Sequence, residues 1–488
     1  MTQQQLEKYL WGAATALRGT IDAGDYKQYI FPLLFFKRIC DVYDEEFERA
    51  LADSNGDMEY AAFAENHHFQ IPAGAHWNDV RETTTNVGIA LQDAMREIEK
   101  ANPDTLYGIF GDASWTNKNR LTDETLINLV EHYSQHKLDL ATVPDDKLGN
   151  AYEYLIKEFA DDSGHTAAEF YTNRTVVKLM TMIMDPQPGE SVYDPTCGSG
   201  GLLLNCALHL KEEGKEYRTL KLYGQEINLI TSAIARMNMF MHGIEEFSIV
   251  RGDTLAQPAF IENDELKKFN VILANPPYSI KAWDRKSFES DPYGRNIWGT
   301  PPQGCADYAF EQHIQKSLDP VNGRSISLWP HGVLFRDSEA EMRKKMIEED
   351  LVECVIGLGP NLFYNSPMEA CLLITSTKKA ASKKGKILFV NAVHEVRQDK
   401  TIGFLEEKHI DKIFLAHQNF ANDENFAALV TTDEVLKNNG NMAINLYVRQ
   451  NSYDAENSES FEDAYENWNQ SSDLLKTSMN ELFQILEN

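Results

Sequence analysis

VILANPPYSI, Val271 to Ile280, starts as a buried strand and stops at Asn275-Pro276-Pro277-Tyr278. Proline fixes φ and pushes the residue before it into extended geometry. Asn275 and Pro276 are therefore both held straight, and neither Pro276 nor Pro277 can donate a backbone hydrogen bond. What remains is a pair of acceptors beyond the carboxyl end of the strand, the Asn275 side-chain oxygen and the Pro276 carbonyl. Two acceptors at that spot clamp an –NH2 group. The exocyclic amine of a nucleobase is a poor nucleophile because its lone pair is delocalised into the ring, and acceptors placed where positive charge grows stabilise the transition state of its attack. Tyr278 offers an aromatic face for a base, with stacking worth roughly 1–3 kcal/mol. A base inside a duplex has to be flipped out to reach it.

Around this strand, short apolar runs alternate with helix-length segments: SVYDP, KLYGQE, FSIVRGD, RSISLWP, LVECVIGL and ACLLITST all follow Gly164. Strands separated by helices predict a parallel α/β sheet with right-handed crossovers. The first strand runs into YDPTCGSGGLLL, Tyr193 to Leu204. There Gly198, Gly200 and Gly201 allow a sharp turn and close backbone approach to a ligand before a helix begins. The spacing is neither GxGxxG nor GxxxxGK(S/T), and Asp194 ahead of it suits a ligand with a positive or hydrogen-donating end. The bland alternative is a tight strand-to-helix turn. Glu226, closing the next strand in GQEIN, stands where dinucleotide folds place the acid that accepts from ribose hydroxyls. Asp253, closing the third in RGDTL, stands where it can meet an adenine amino group. One such acid can simply cap the following helix, but three at successive strand ends are harder to dismiss.

Before Gly164 the period is helical: Tyr26, Tyr29, Ile30, Leu33 and Leu34 draw one apolar stripe, preceded by the turn TIDAGDYK. Further helical stretches run near 86–100 and 123–136. Beyond about residue 430 the chain turns polar and acidic and closes with SDLLKTSMNELFQILEN, an amphipathic segment suited to a partner. The expected division is a helical N-terminal domain (1–160), an α/β domain (161–430) and a linker with a helical tail (431–488).

The net charge of −29 over 488 residues repels a phosphate backbone at long range. If DNA is the substrate, a basic partner has to help hold it. Six scattered cysteines with no CxxC argue against both a disulfide framework and a zinc cluster. The amino terminus lacks the layout of a secretory signal and no apolar run is long enough to cross a bilayer, which predicts a cytoplasmic protein. His132 and His136, at i and i+4, read as a helix face rather than a metal pair. VPDDK lacks the Glu-x-Lys of a metal-dependent nuclease. The segment from Ile280 to Asp307, carrying Trp283, Arg285, Lys286, Arg295 and Trp298, is expected to be a loop suited to a DNA strand or flipped base. The alternative for it is an ordinary connector.

DPTCGSGG followed by GQE, RGD and NPPY resembles the motif order of amino-group methyltransferases that use S-adenosylmethionine. GHTAAEFYTNRTVVKLM, Gly164 to Met180, resembles the additional cofactor motif that precedes the glycine loop in the gamma-order enzymes. LWGAATALRGTIDAGDYKQYIFPLLFFKRICD resembles the helical domain of the modification (methyltransferase) subunit of type I restriction–modification systems. The resemblance runs from about Leu10 to NMAINLYV, Asn441 to Val448.

It implies a Rossmann-like class I methyltransferase domain between a helical N-terminal domain and a helical C-terminal tail, and site-specific N6-adenine methylation of DNA. It places Asn275, Pro276, Pro277 and Tyr278 in the amine site. On the cofactor side it places Glu169, Phe170, Tyr171, Thr172, Asn173 and Arg174 and the loop Gly198-Ser199-Gly200 at the methionine, with Asp194 and Thr196 also in the cofactor site. Glu226 goes to the ribose and Asp253 to the adenine; no metal is implied. The partners implied are DNA, a specificity subunit shared by two modification subunits, and a motor nuclease subunit that can join. The family commonly has proline after FYT, where this chain has Asn173.

Other chemistries are weighed by the same residues. Cytosine-C5 methylation needs a thiolate, usually in a Pro-Cys pair, and no cysteine here follows a proline. N4-cytosine methylation fits the same clamp. Protein glutamine N5-methyltransferases also resemble the chain at NPPY, without needing a long helical domain. A catalytically silent scaffold would not need an intact clamp.

Overall fold

The computed structural model describes residues 1–162, 172–362, 368–399 and 402–448, and residues 465–466, 468–472, 475–476 and 479 of the tail. The N-terminal part is helical: α1 (Gln3–Leu17), α2 (Lys27–Asp53), α3 (Val87–Ala101), α4 (Asp123–Tyr133) and α5 (Asp145–Asp162). A capping box of Thr2 and Gln5 starts α1, and the Thr122 hydroxyl accepts from the Thr125 N–H to start α4. The stripe on α2 carries Tyr29, Ile30, Leu33 and Leu34 into the core of this unit. His132 stacks on Tyr9 and His136 meets the same ring edge-on, so the histidine pair is spent on packing.

The second unit is built on a nine-stranded sheet. Its strands are β1 (Ser191–Asp194), β2 (Lys221–Glu226), β3 (Phe247–Arg251), β4 (Val271–Ala274), β5 (Arg324–Pro330), β6 (Val352–Leu358), β7 (Ala370–Ser376), β8 (Lys386–Ala392) and β9 (Ala427–Thr431). They lie in the order β9-β8-β6-β7-β5-β4-β1-β2-β3. The helices of this unit include α6 (Arg174–Met184), α7 (Gly201–Glu212), α8 (Leu229–Met241), α9 (Asp307–Ser317), α10 (Ala340–Glu348) and α11 (Glu407–Asn419).

The expected all-parallel sheet is corrected at two places. β7 lies antiparallel between β5 and β6, and β9 is antiparallel to β8. Strands covered on both faces are apolar at every position whichever way they run, so LVECVIGL and ACLLITST carry no sign of direction. Eleven residues link β6 to β7, just under the dozen or more that a parallel crossover needs.

Strand order reverses between β1 and β4, which pair in parallel through Val192 with Val271 and Tyr193 with Ile272. In such sheets the crevice beyond the carboxyl ends at the reversal is where ligands sit. Asp194 and Asn275 leave the sheet side by side at that point.

The two units share α8. Its Ala233, Ile234, Met237 and Met241 enter the helical core, while Ala235 and Met239 face the sheet core. Arg236 on the same helix donates to the Tyr107 and Thr105 carbonyls at 2.7 and 2.6 Å. Past residue 430, Val435, Met442, Ile444 and Val448 are buried and Tyr447 stacks on Phe389 at 4.3 Å. All six cysteines are free and buried. Among the described residues no helix is long and apolar enough to cross a membrane.

Candidate active site

A cleft opens at the strand-order reversal, lined among others by Thr172, Arg174, Asp194, Thr196, Gly198, Ser199 and Asn275. These seven were anticipated from the sequence. Glu169, Phe170 and Tyr171, expected beside them, lie outside the described residues.

The glycine loop needs its glycines. Gly198 and Gly200 have φ of +54° and +81°, a region that side-chain-bearing residues seldom enter. The loop also presses on β2, where a Cβ on Gly224 would stand 2.9 Å from the Cys197 sulfur. Glu226 fastens the loop from below: its Oε2 accepts the Gly198 N–H at 3.1 Å and its Oε1 the Asn228 N–H at 2.8 Å. Asp253 is exposed and accepts the Leu255 and Ala256 N–H groups, capping its own turn. Neither acid lines the cleft. Asp194 does, almost fully buried, with Oδ1 accepting the Thr196 N–H at 3.0 Å. Burial pushes its carboxyl up to about 8, opposed by the Thr196 N–H and reinforced by the charge of Glu226.

Asn173 explains its place in a position where proline is common. Its φ of −54° is one that proline adopts, and its side chain caps α6 by accepting from the Thr175 N–H at 3.0 Å. The amide nitrogen donates to the Gly403 carbonyl at 2.9 Å. The backbone path suits either residue, and asparagine adds the cap.

In the tetrad, one expectation is corrected. The Asn275 oxygen is not wholly free: Oδ1 accepts the Tyr278 hydroxyl at 2.9 Å, while Nδ2 donates to Thr172 Oγ1 at 3.0 Å. An amide oxygen has a second lone pair, so the two bonds aim the acceptor and leave it capacity for one more donor. Burial raises the Tyr278 pKa well above the usual phenol range, which keeps it a donor. The Tyr278 ring packs against the cluster of Phe288, Trp298 and Trp329, which limits the face it can offer a base.

Just past the tetrad, Ser279 takes φ +49°. Its N–H donates to buried Asp307 at 2.6 Å, and Arg336 ties Asp307 (2.5 Å) to Glu339 (2.7 Å). Burial works against the Arg336 charge, and its bonds to Glu339 and Asp307 outweigh that and raise its pKa. Cys305, Asp307 and Glu339 come within metal-binding reach of one another, but Arg336 already bonds both carboxylates. Phe335, beside Arg336, is exposed.

The segment 280–307 departs from expectation. Arg295 is buried, paired with Asp291 at 2.5 Å and donating to the Thr254 and Leu255 carbonyls. Trp298 is 1% exposed, its indole N–H reaching Glu349. Arg285 pairs with Glu289 and donates to the Pro301 carbonyl. Lys286 stays exposed and Trp283 half-buried. A buried guanidinium reads in sequence like any other basic loop residue, because its partners lie elsewhere in the chain.

Sequence reasoning missed Glu153, Asp307 and Arg336. Only Glu153 had a signal, a carboxylate inside the otherwise apolar run from Ala151 to Ile156 on α5.

Residues 143–456 match the model of the N-6 DNA Methylase family, and residues 6–133 that of the HsdM N-terminal domain. The chain is 30% identical to the type I restriction enzyme MpnII methylase subunit of Mycoplasma pneumoniae, over 91% of this chain and 89% of that one. It is 31% identical to the HindI methylase subunit of Haemophilus influenzae, over 69% and 77%. The crystal structure of a type I restriction–modification methyltransferase subunit from Streptococcus thermophilus superposes with a TM-score of 0.79 at 30% identity, covering 92% of this chain and all of that one.

Proposed function

This chain belongs to the N-6 DNA methylase family, among the methylase subunits of type I restriction enzymes, and on that premise we propose how its residues divide the work. The reaction is transfer of a methyl group from S-adenosylmethionine to the N6 amino group of adenine in DNA. The cofactor supplies a methyl group on a positively charged sulfur. The cleft suits it: Asp194 is a buried carboxyl short of a cation, and Arg174 offers a guanidinium. Thr172, Arg174, Asp194, Thr196 and the Gly198-Ser199-Gly200 loop hold the methionine end. Glu226 fastens that loop and accepts from the ribose, and Asp253 meets the adenine.

The observation that carries the amine site is the Asn275 amide, held by Thr172 and Tyr278 on the wall of the same cleft as the glycine loop. The second lone pair of Asn275 Oδ1 and the Pro276 carbonyl accept the two amine hydrogens. As the nitrogen takes the methyl group, its growing positive charge is stabilised by these fixed dipoles. The alkylated nitrogen is acidic enough to lose its proton to solvent, so no general base is needed. Asp307 and Arg336 hold the turn at Ser279 that follows. Half-buried Tyr278 stacks on a flipped base, and exposed Phe335, beside Arg336, offers a further aromatic face among the described residues. N4-cytosine and protein glutamine methylation are not favoured by the family to which the chain belongs.

The chain works on DNA together with other subunits of the restriction–modification system. Two copies per specificity subunit, with a motor nuclease able to join, is the assembly we favour, and the net charge of −29 supports delegating DNA contact to a partner. In the tail, Tyr465, Trp468, Leu475 and Met479 are exposed and fall at three-, seven- and four-residue steps, a seam fit for a partner helix. We keep the division into 1–160, 161–430 and 431–488 as working boundaries, with the start of the last part, through Val448, packed on the α/β unit.

Base-resolved methylation sequencing of cells carrying the native chain or Asn275→Ala tests the reading. N6-methyladenine at one split recognition sequence, lost in the variant, is the expected result. Unchanged DNA methylation with both chains expressed would refute it.

A further inference from the structure

One wall of the cofactor cleft comes from the other unit. α5 packs Tyr152, Leu155 and Ile156 into the helical core, yet Glu153 between them lines the cleft with Asp194 and Arg174. Its carboxylate is 8% exposed and joins two elements of the α/β unit. Oε2 meets Arg174, the first residue of α6, at 2.7 Å. Oε1 accepts from Asn238 Nδ2 at 3.3 Å, and the same nitrogen donates to the Ser199 carbonyl of the glycine loop at 3.1 Å. Asn238 is fully buried, and its Oδ1 has no hydrogen-bond partner.

A carboxylate at an internal boundary is costly to bury, and apolar packing would join two units at least as well. Here two carboxylates and one guanidinium converge on one end of a cleft that receives an amino acid. We propose that Glu153, carried by the helical unit, recognises the methionine end of the cofactor: it orients Arg174 toward the α-carboxylate and joins Asp194 in facing the α-ammonium. The inference rests on the cofactor reading above. It makes the helical unit part of the cofactor site, so the seating of that unit and cofactor affinity are reciprocally linked.

The test compares S-adenosylhomocysteine with 5′-methylthioadenosine, which keeps the nucleoside and sulfur but lacks the amino acid. Calorimetry on the full chain is expected to show affinity for S-adenosylhomocysteine about tenfold lower in Glu153→Gln and in Arg174→Gln, the scale of one charge-assisted hydrogen bond. 5′-Methylthioadenosine should bind all three proteins alike, which also reports that the variants are folded. The double variant should lose no more than the weaker single, as expected for residues acting as a pair. Equal loss of both ligands in Glu153→Gln would make Glu153 a tie between units and nothing more, and unchanged S-adenosylhomocysteine binding would remove it from the site. Either outcome overturns the inference. A wild-type chain that binds neither compound would overturn the cofactor assignment itself, and this inference with it.

Discussion

The tetrad Asn275–Tyr278 and the segment 280–307 that follows it are neighbours in the chain, and they answer to different rules. The tetrad is legible from covalent geometry, since two prolines restrict the backbone whatever surrounds them. The segment offers only composition, and composition misleads: Arg295 and Trp298, residue types of a nucleic-acid surface, are buried supports for the turn at Thr254 and for the end of α10 at Glu349. Backbone constraints survive folding unchanged, whereas a side chain's role depends on whatever folding brings to it.

The sharpest way to break this comparison is Arg295→Ala. Removing one partner of a buried ion pair costs about 3–5 kcal/mol, so chemical denaturation should show a large loss of stability while DNA affinity of the folded assembly holds. A variant of native stability with weak DNA binding would return the segment to the DNA surface. Asn275→Ala probes the other side. Loss of one preorganised transition-state contact lowers turnover about 10²–10³-fold. Single-turnover methyl transfer should fall by that much with S-adenosylhomocysteine affinity unchanged, and equal loss of both would deny Asn275 its role.

Asp307→Asn asks how far the tetrad depends on its neighbour. The Ser279 N–H keeps an acceptor, but the charge facing Arg336 is gone, and turnover should fall roughly tenfold with the cofactor KM unmoved. A matching rise in that KM would place Asp307 on the cofactor side.

The smallest effect is in pH. Asp194 has its carboxyl pushed up to about 8, so in the cofactor-free protein it is mostly protonated at pH 7. A ligand that brings positive charge favours its ionised form, so binding releases a proton. Cofactor affinity should then rise with pH up to about 8 and level off above it, by less than tenfold per pH unit. Calorimetry in buffers of different ionisation heat reads the released proton directly, and Asp194→Asn should flatten the profile. A flat profile in the wild-type chain would take Asp194 away from the charged end of the cofactor.

The sequence by itself determined the helical and α/β textures, the glycine turn after the first strand, and the tetrad at the carboxyl end of the fourth. All of these follow from periodicity or backbone freedom within a few residues. Only the tertiary structure decided the direction of β7, the use of Glu226 as a fastening for the glycine loop, the burial of Arg295, and the arrival of Glu153 at the cofactor cleft. The reason is distance along the chain. Asn275 is aimed by Thr172 from 103 residues away, Glu153 meets Asn238 across 85, and Arg295 finds the Thr254 carbonyl across 41. Partnerships of that span leave no local pattern, because a single charged residue reads the same in a sequence whether it faces water or a buried counter-charge.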